Sequence, residues 1–168
     1  MPSASADPQQ FPDLSGFVNA NAPDYTTYSA YMTAGVQFVT PAGYRCRMSY
    51  TTKAARSDMG CWGSLPGTSH NYVGLRYLGG PNSPGAEFSD IDLTSMERYD
   101  WMDASGTHEG TISPDSYKAL PAHAKVTYTQ ATPQTCGVDS SLTACVLTGD
   151  APGQRHGFVL SPQGSWTF

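Results

Sequence analysis

Apolar and polar side chains alternate most regularly along residues 44–50. Tyr44, Cys46, Met48 and Tyr50 occupy one set of alternate positions, and Arg45, Arg47 and Ser49 occupy the other. Because successive side chains of a strand point to opposite faces, this pattern predicts a strand with one apolar and one polar face. Other short apolar segments bounded by turn residues predict strands at residues 36–40, 71–78, 86–93, 124–129, 142–147, 155–160 and 165–168.

The spacing of these segments predicts how the strands pair. Most connections are too short for helical crossovers, so neighbouring strands should be antiparallel. The 168 residues are enough for one domain, because two domains in this length would each be undersized. We therefore predict a mainly β fold, a single antiparallel β-sandwich or barrel-like domain over residues 11–168.

The composition supports this fold class and excludes several functions. The chain has 17 glycines, 13 prolines and 10 tyrosines, and only 14% of its residues are charged, which disfavours helical bundles and disorder. Its net charge is −5, and its nine lysines and arginines are scattered, so we predict no nucleic-acid partner. No apolar run approaches the roughly 18 residues of a membrane-spanning helix, so the chain should not span a membrane.

The first residues predict export. Residues 4–6 read Ala-Ser-Ala and are followed by Asp-Pro, a pattern typical of the small-residue end of a secretory signal peptide. An ordinary flexible tail rich in alanine and serine is the alternative. Residues 1–10 contain little to bury, and we expect them to form a disordered tail that includes this signal-peptide remnant.

The next segment predicts an arm. Phe11, Leu14, Phe17 and Val18 follow a helical spacing, which predicts a short N-terminal helical arm packed on the core. Tyrosines at 25, 28 and 31 suggest a second helical turn, or alternatively an irregular extended segment.

Four cysteines indicate the compartment. Cys46 and Cys61 lie 15 positions apart, and Cys136 and Cys145 lie nine apart. The simplest of the three possible connectivities is two local disulfides, Cys46–Cys61 and Cys136–Cys145. The alternative is four reduced cysteines in the core of a cytosolic protein. Since disulfides persist in oxidising compartments, the bridged form predicts a secreted protein.

Two long connections, residues 52–70 and 94–114, are the candidate binding loops, because long ordered loops often carry sites. They contain the candidate ligand-binding residues Trp62, Tyr99, Trp101 and His108. If exposed, these rings would suit stacking on sugars, holding an acyl chain or gripping a partner protein. If buried, they belong to the core.

Catalysis has one candidate, His156. With Asp139 and either Ser140 or Ser141, it would supply the parts of a hydrolytic triad. The chain lacks a G-x-S-x-G elbow, however, and residues 139–141 also suit a turn between Cys136 and Cys145. The four histidines are far apart and show no metal-binding spacing, so we expect no metal and no cofactor.

Several segments carry a family resemblance. They are FPDL at residues 11–14, FVTPAGYRC at 38–46, GCWGSLPG at 60–67, TCGVD at 135–139, TAC at 143–145 and HGFVLSPQGSW at 156–166. In order and spacing they resemble a group of secreted actinobacterial, especially mycobacterial, proteins of uncharacterised function. The resemblance implies export and two local cysteine pairs, and it transfers no catalytic residue.

Together these observations predict a secreted or cell-envelope binding or interaction protein without catalytic activity. Its partner would be an envelope component, a lipid, a glycan or another protein. The alternative is a small secreted hydrolase centred on His156.

Overall fold

The computed structural model describes residues 9–168, which form two main sheets and one separate hairpin. In chain order the strands are β1 (Val18–Asn19), β2 (Tyr28–Ala30), β3 (Thr33–Val39), β4 (Arg45–Thr51), β5 (Arg56–Trp62), β6 (Tyr72–Tyr77), β7 (Glu87–Ser89), β8 (Arg98–Asp103), β9 (Gly106–Thr111), β10 (Lys118–Ala119), β11 (Ala124–Tyr128), β12 (Gln134–Val138), β13 (Thr143–Thr148), β14 (Arg155–Leu160) and β15 (Trp166–Thr167). Short 3-10 helices span Ala22–Tyr25, Leu93–Glu97 and Pro114–Ser116. The predicted signal-peptide remnant at residues 4–6 lies outside the described residues.

The predicted mainly β fold is confirmed. The first sheet has the order β10-β3-β4-β5-β6-β7, with β2 paired to β3, and the second has the order β1-β11-β12-β13-β14-β15. One buried apolar cluster draws residues from both sheets, including Phe38 and Met48 from the first and Leu147 and Phe158 from the second. The fold is therefore a sandwich whose two sheets share one core.

Both predicted disulfides are present. Cys46 on β4 lies directly opposite Cys61 on β5, and Cys136 on β12 lies directly opposite Cys145 on β13. The paired Cα atoms are 4.0 and 4.1 Å apart, respectively. Each bridge therefore joins the two central strands of an antiparallel meander, in the interior of the sandwich.

The two sheets have the same topology, and each receives one edge strand from the part of the chain that precedes the other sheet's meander. Each contains a four-stranded antiparallel meander, β3–β6 or β11–β14, followed by a short antiparallel strand, β7 or β15. A two-residue strand pairs in parallel with the first strand of each meander. β1, which precedes the first meander, pairs with β11, whereas β10, which precedes the second meander, pairs with β3. The exchanged edges tie the two meanders together.

The N-terminal arm packs on the sandwich as expected, but it is not helical. Within residues 11–17 the only turn spans residues 14–17 and is closed by a 3.1 Å hydrogen bond from the Phe17 amide to the Leu14 carbonyl. The Asp13 carboxylate accepts the Ser15 amide at 2.9 Å and so competes with helical hydrogen bonding. Leu14 and Phe17 lie against Gly137, where the missing side chain leaves room for them on the outer face of the second sheet. The predicted second helical turn is also wrong beyond residue 25, since residues 28–30 form β2.

Each predicted strand overlaps an observed strand, but both long connections contain structure of their own. β5 lies within residues 52–70, and the 3-10 helix Leu93–Glu97, β8 and β9 lie in or around residues 94–114. β12, which carries Cys136, is a further strand outside the predicted set. None of the helices in residues 9–168 is long and apolar enough to cross a membrane.

Candidate binding surface

The β8–β9 hairpin is not hydrogen-bonded into either main sheet, and it carries three of the four predicted ligand-binding residues. Its reversal is held by Asp103, whose carboxylate accepts the Ser105 amide at 2.8 Å and the Ser105 hydroxyl at 2.6 Å. Gly106 follows with φ 124°, a backbone conformation that side chains rarely adopt. Local hydrogen bonding and this glycine therefore fix the hairpin tip.

One face of the hairpin is a continuous stack of rings. Tyr99 and Trp101 alternate along β8, and His108 lies directly opposite Trp101 on β9. The ring centroids of Tyr99 and Trp101 are 5.7 Å apart, and those of Trp101 and His108 are 5.2 Å apart, with interplanar angles of 29° and 23°. We call Tyr99, Trp101 and His108 the aromatic stack. Its three members are half-buried.

Polar groups lie beside the same face. The imidazole Nε2 of His108 is 2.9 Å from both the Asp103 carboxylate and the Ser105 hydroxyl. Hydrogen bonds from Ser105 and His108 lower the pKa of Asp103, so its carboxylate is ionised at neutral pH. The face thus combines ring surface with a charged hydrogen-bond acceptor.

The fourth predicted residue, Trp62, supports this surface from below. Trp62 is only 3% exposed and forms a buried cluster with Ile112 and Tyr117, against which Tyr99 packs. The Trp62 and Tyr117 rings meet edge to face, with centroids 5.9 Å apart. Trp62, at the end of β5, is therefore a buried core residue, which is the second of the two alternatives that the sequence left open.

The opposite face of the hairpin is polar. An open cavity of about 530 Å³ lies there, lined by residues that include Ser95, Arg98, Asp100, Glu109 and Thr111. Asp100 and Glu109 lie directly opposite each other, whereas Arg98 is bound by Asp92 at 3.2 Å. This polar lining is unsuited to an acyl chain.

Comparison with known proteins does not assign this chain to a family. No protein-family model matches this chain, and no curated protein or solved structure does either. The two disulfides are typical of proteins in oxidising compartments. Function must accordingly be argued from the geometry of the sites.

The structure does not bring the suggested triad together. His156 on β14 pairs with Leu147, whereas Leu160, four residues further along β14, pairs with Thr143 beside the β12–β13 turn. At about 3.3 Å per residue, His156 lies about 13 Å along the strand from that end of the sheet. Residues 139–141 form the turn itself, with Asp139 accepting the Ser140 amide at 2.9 Å. The His156 imidazole makes no hydrogen bond to the described residues.

Ser105, His108 and Asp103 are the residue types of a triad, but their geometry is not that of one. Both the serine hydroxyl and the carboxylate contact the same imidazole nitrogen, Nε2. A relay needs the carboxylate on one ring nitrogen and the nucleophile on the other. These contacts therefore hold the hairpin tip and do not activate Ser105. Among the described residues, no three His, Cys, Asp or Glu side chains gather in a way that could hold a metal ion.

Sequence reasoning missed a second group of functional candidates, on the outer face of the first sheet. Arg47 on β4 was predicted to lie on a polar face, yet only 8% of it is exposed. Tyr28, Trp62 and Tyr117 surround its guanidinium group. No local signal in residues 44–50 reveals this burial, because the covering residues come from other parts of the chain.

Proposed function

We propose that this protein is an exported binding protein without catalytic activity, and that the aromatic stack binds a saccharide of the cell envelope. The observation that carries the proposal is the stack itself, which is held in place by its buried base and its hydrogen-bonded tip. Preorganised rings lose little conformational entropy on binding, which favours affinity.

The polar groups beside the stack support a saccharide over an acyl chain. A sugar ring has apolar C–H faces and hydroxyl edges, so it would pack against the aromatic stack while its hydroxyls donate to Asp103. Asp103 suits this role because it is ionised and exposed. An acyl chain would displace water from this charged carboxylate and offer it no hydrogen-bond donor in return.

The two disulfides and the resemblance to secreted actinobacterial proteins support export. We also propose that this protein is a member of that group. The hydrolase alternative gains no support, because the structure places neither Ser140 nor Ser141 near His156.

Co-sedimentation tests the proposal. The probe is insoluble actinobacterial cell-wall polysaccharide, freed of lipid and protein, and a parallel arm uses vesicles of polar lipids from the same cells. We expect the wild-type protein to sediment with the polysaccharide and Trp101→Ala to bind at least about tenfold more weakly, as for a central aromatic contact. Met102→Ala is the matched control, because Met102 is 70% exposed on the opposite face of the same hairpin.

Unchanged sedimentation of Trp101→Ala would overturn the proposed surface. Binding to the vesicles alone, or to neither probe, would overturn the saccharide as ligand. Near-UV circular dichroism of both variants checks that any loss of binding does not reflect unfolding.

A further inference from the structure

Arg47 is a buried cation in an aromatic cage. Its guanidinium carbon lies 4.0 Å from the ring centroid of Tyr28, 4.9 Å from that of Trp62 and 5.8 Å from that of Tyr117. Its Nη2 donates to the Met96 carbonyl at 2.9 Å and to the Tyr117 hydroxyl at 2.5 Å. The cage stabilises the charge and fixes the orientation of the guanidinium group.

Within residues 9–168, Arg47 has no carboxylate partner. The nearby carboxylates are engaged by other arginines, since Glu97 binds Arg45, and Asp58 binds both Arg56 and Arg76. An arginine stays charged at every relevant pH, and a buried charge without a counterion is costly. The cage therefore holds a cation that aromatic contacts compensate only in part.

A cavity of about 250 Å³ lies beside the cage, and the unpartnered polar groups around it are donors. Its lining includes Arg47, Arg56, Arg76, Asp58, Trp62, Tyr28 and Tyr72. Arg47 Nε and Trp62 Nε1 are buried without a hydrogen-bond partner among the described residues. Burial raises the pKa of Tyr28 and Tyr72, so both hydroxyls keep their protons at neutral pH and can donate.

Two glycines of the first sheet make room for Tyr72 beside the cavity. Gly60 lies directly opposite Arg47, and Gly74 lies directly opposite Gly60. A Cβ atom at Gly74 would lie 2.1 Å from the Tyr72 hydroxyl oxygen, and one at Gly60 would lie 3.0 Å from it. The absence of side chains at both positions lets Tyr72 lie across the sheet beside the arginines.

We propose that this cavity is a binding site for an oxyanion, a carboxylate or phosphate group carried by a small ligand. Three arginines against one aspartate give the site a net charge of about +2, in a chain whose net charge is −5. An oxyanion accepts hydrogen bonds and donates none, so it complements the unpartnered donors and supplies the counterion that Arg47 lacks. The residues that line this cavity do not include the aromatic stack, and the oxyanion proposal does not rest on the saccharide proposal.

Nuclear magnetic resonance of the full chain tests the site through the indole N–H of Trp62. The probes are inorganic phosphate and acetate, each compared with chloride at the same ionic strength. We expect phosphate, acetate or both to shift the Trp62 signal in a saturable way, whereas chloride does not. The stronger of the two probes then identifies the preferred oxyanion. Trp62→Phe assigns the signal among the three tryptophans.

Two substitutions that each remove one positive charge distinguish binding at this site from general electrostatic attraction. Arg47→Met should weaken oxyanion binding at least tenfold, whereas Arg98→Met should leave it unchanged. Arg98 lies at the base of the hairpin, in the other cavity, and is bound by Asp92. Tyr72→Phe, which removes a hydroxyl without a partner among the described residues, should weaken binding about threefold and keeps the test informative if Arg47→Met does not fold.

The absence of a saturable shift with both phosphate and acetate would overturn the proposal. Equal losses in Arg47→Met and Arg98→Met would also overturn it, because they would show diffuse attraction to positive charge.

Discussion

A hydrogen bond between the two sheets provides a sharp test of the sandwich. Tyr44 lies immediately before β4, and its hydroxyl donates to the hydroxyl oxygen of Thr143 on β13 at 2.6 Å. Both residues are almost completely buried. The contact joins parts of the chain that are 99 positions apart and lie in different sheets.

The expected effect follows from what each substitution leaves behind. Tyr44→Phe removes the donor and leaves the buried Thr143 hydroxyl without this partner, whereas Thr143→Val removes the acceptor and keeps the side-chain shape. Each change should lower the free energy of unfolding by about 1–2 kcal/mol. The double variant leaves two apolar groups in contact, so it should lose no more than the worse single variant, which gives a coupling energy of at least about 1 kcal/mol.

Urea unfolding of the four proteins measures this coupling. Tyr31→Phe is the control, because Tyr31 is 50% exposed, and it should change the unfolding free energy by less than about 0.5 kcal/mol. If the two single losses simply add in the double variant, the two hydroxyls are not coupled and the inferred packing of the sheets is wrong.

Three further predictions follow from particular residues. Burial raises the pKa of Tyr44 and Tyr117 to about 12, above the usual value of 10. The contribution of these two tyrosines to the free energy of unfolding is therefore complete below pH 10 and is lost as the pH rises toward 12. Urea titrations across that range should show the loss, and Tyr44→Phe should reduce it. Replacing Cys136 and Cys145 together with alanine should lower the unfolding free energy by about 3 kcal/mol, and reductant should then have a smaller effect on the variant than on the wild-type protein. Gly137→Ala would place a Cβ atom 2.8 Å from Leu14 and should loosen the N-terminal arm, so limited proteolysis within residues 11–17 should accelerate. Gly16→Ala, which meets no atom within 4 Å, should not accelerate it.

The sequence predicted the parts of the fold that depend on local patterns. Residues 44–50 alternate because successive side chains of β4 point to opposite faces of the sheet, and Cys46 and Met48 lie on the face that packs in the core. The local cysteine pairs were predictable for the same reason, since each pair lies on two adjacent antiparallel strands. These features need only the strand period and short connections.

Features set by distant pairing left no readable pattern. β1 and β10 are two residues long, and their parallel partners β11 and β3 lie about 80 to 110 positions away in the chain. The sequence did not predict β5, because one of its outward positions is Gly60. A side chain at Gly60 would crowd Tyr72 on the neighbouring strand. The composition of β5 therefore resembles a turn-rich connection.

The same reasoning explains why the candidate sites were only partly predictable. The segment from Leu93 to Tyr117 lies between the two meanders in the chain and belongs to neither, yet it covers the outer face of the first sheet. It contributes the aromatic stack on one side and, through Met96 and Tyr117, closes the cage around Arg47 on the other. Aromatic residues within a long connection indicated the stack, because exposed rings there are unusual. The cage forms because this segment covers the outer face of β4, where Arg47 lies. The alternation along β4 by itself predicts that this face is open to solvent, so the cage could not be predicted. Both sites therefore share one covering segment, and a substitution such as Ile112→Ala, in the buried cluster through which this segment packs on the sheet, should weaken binding at both.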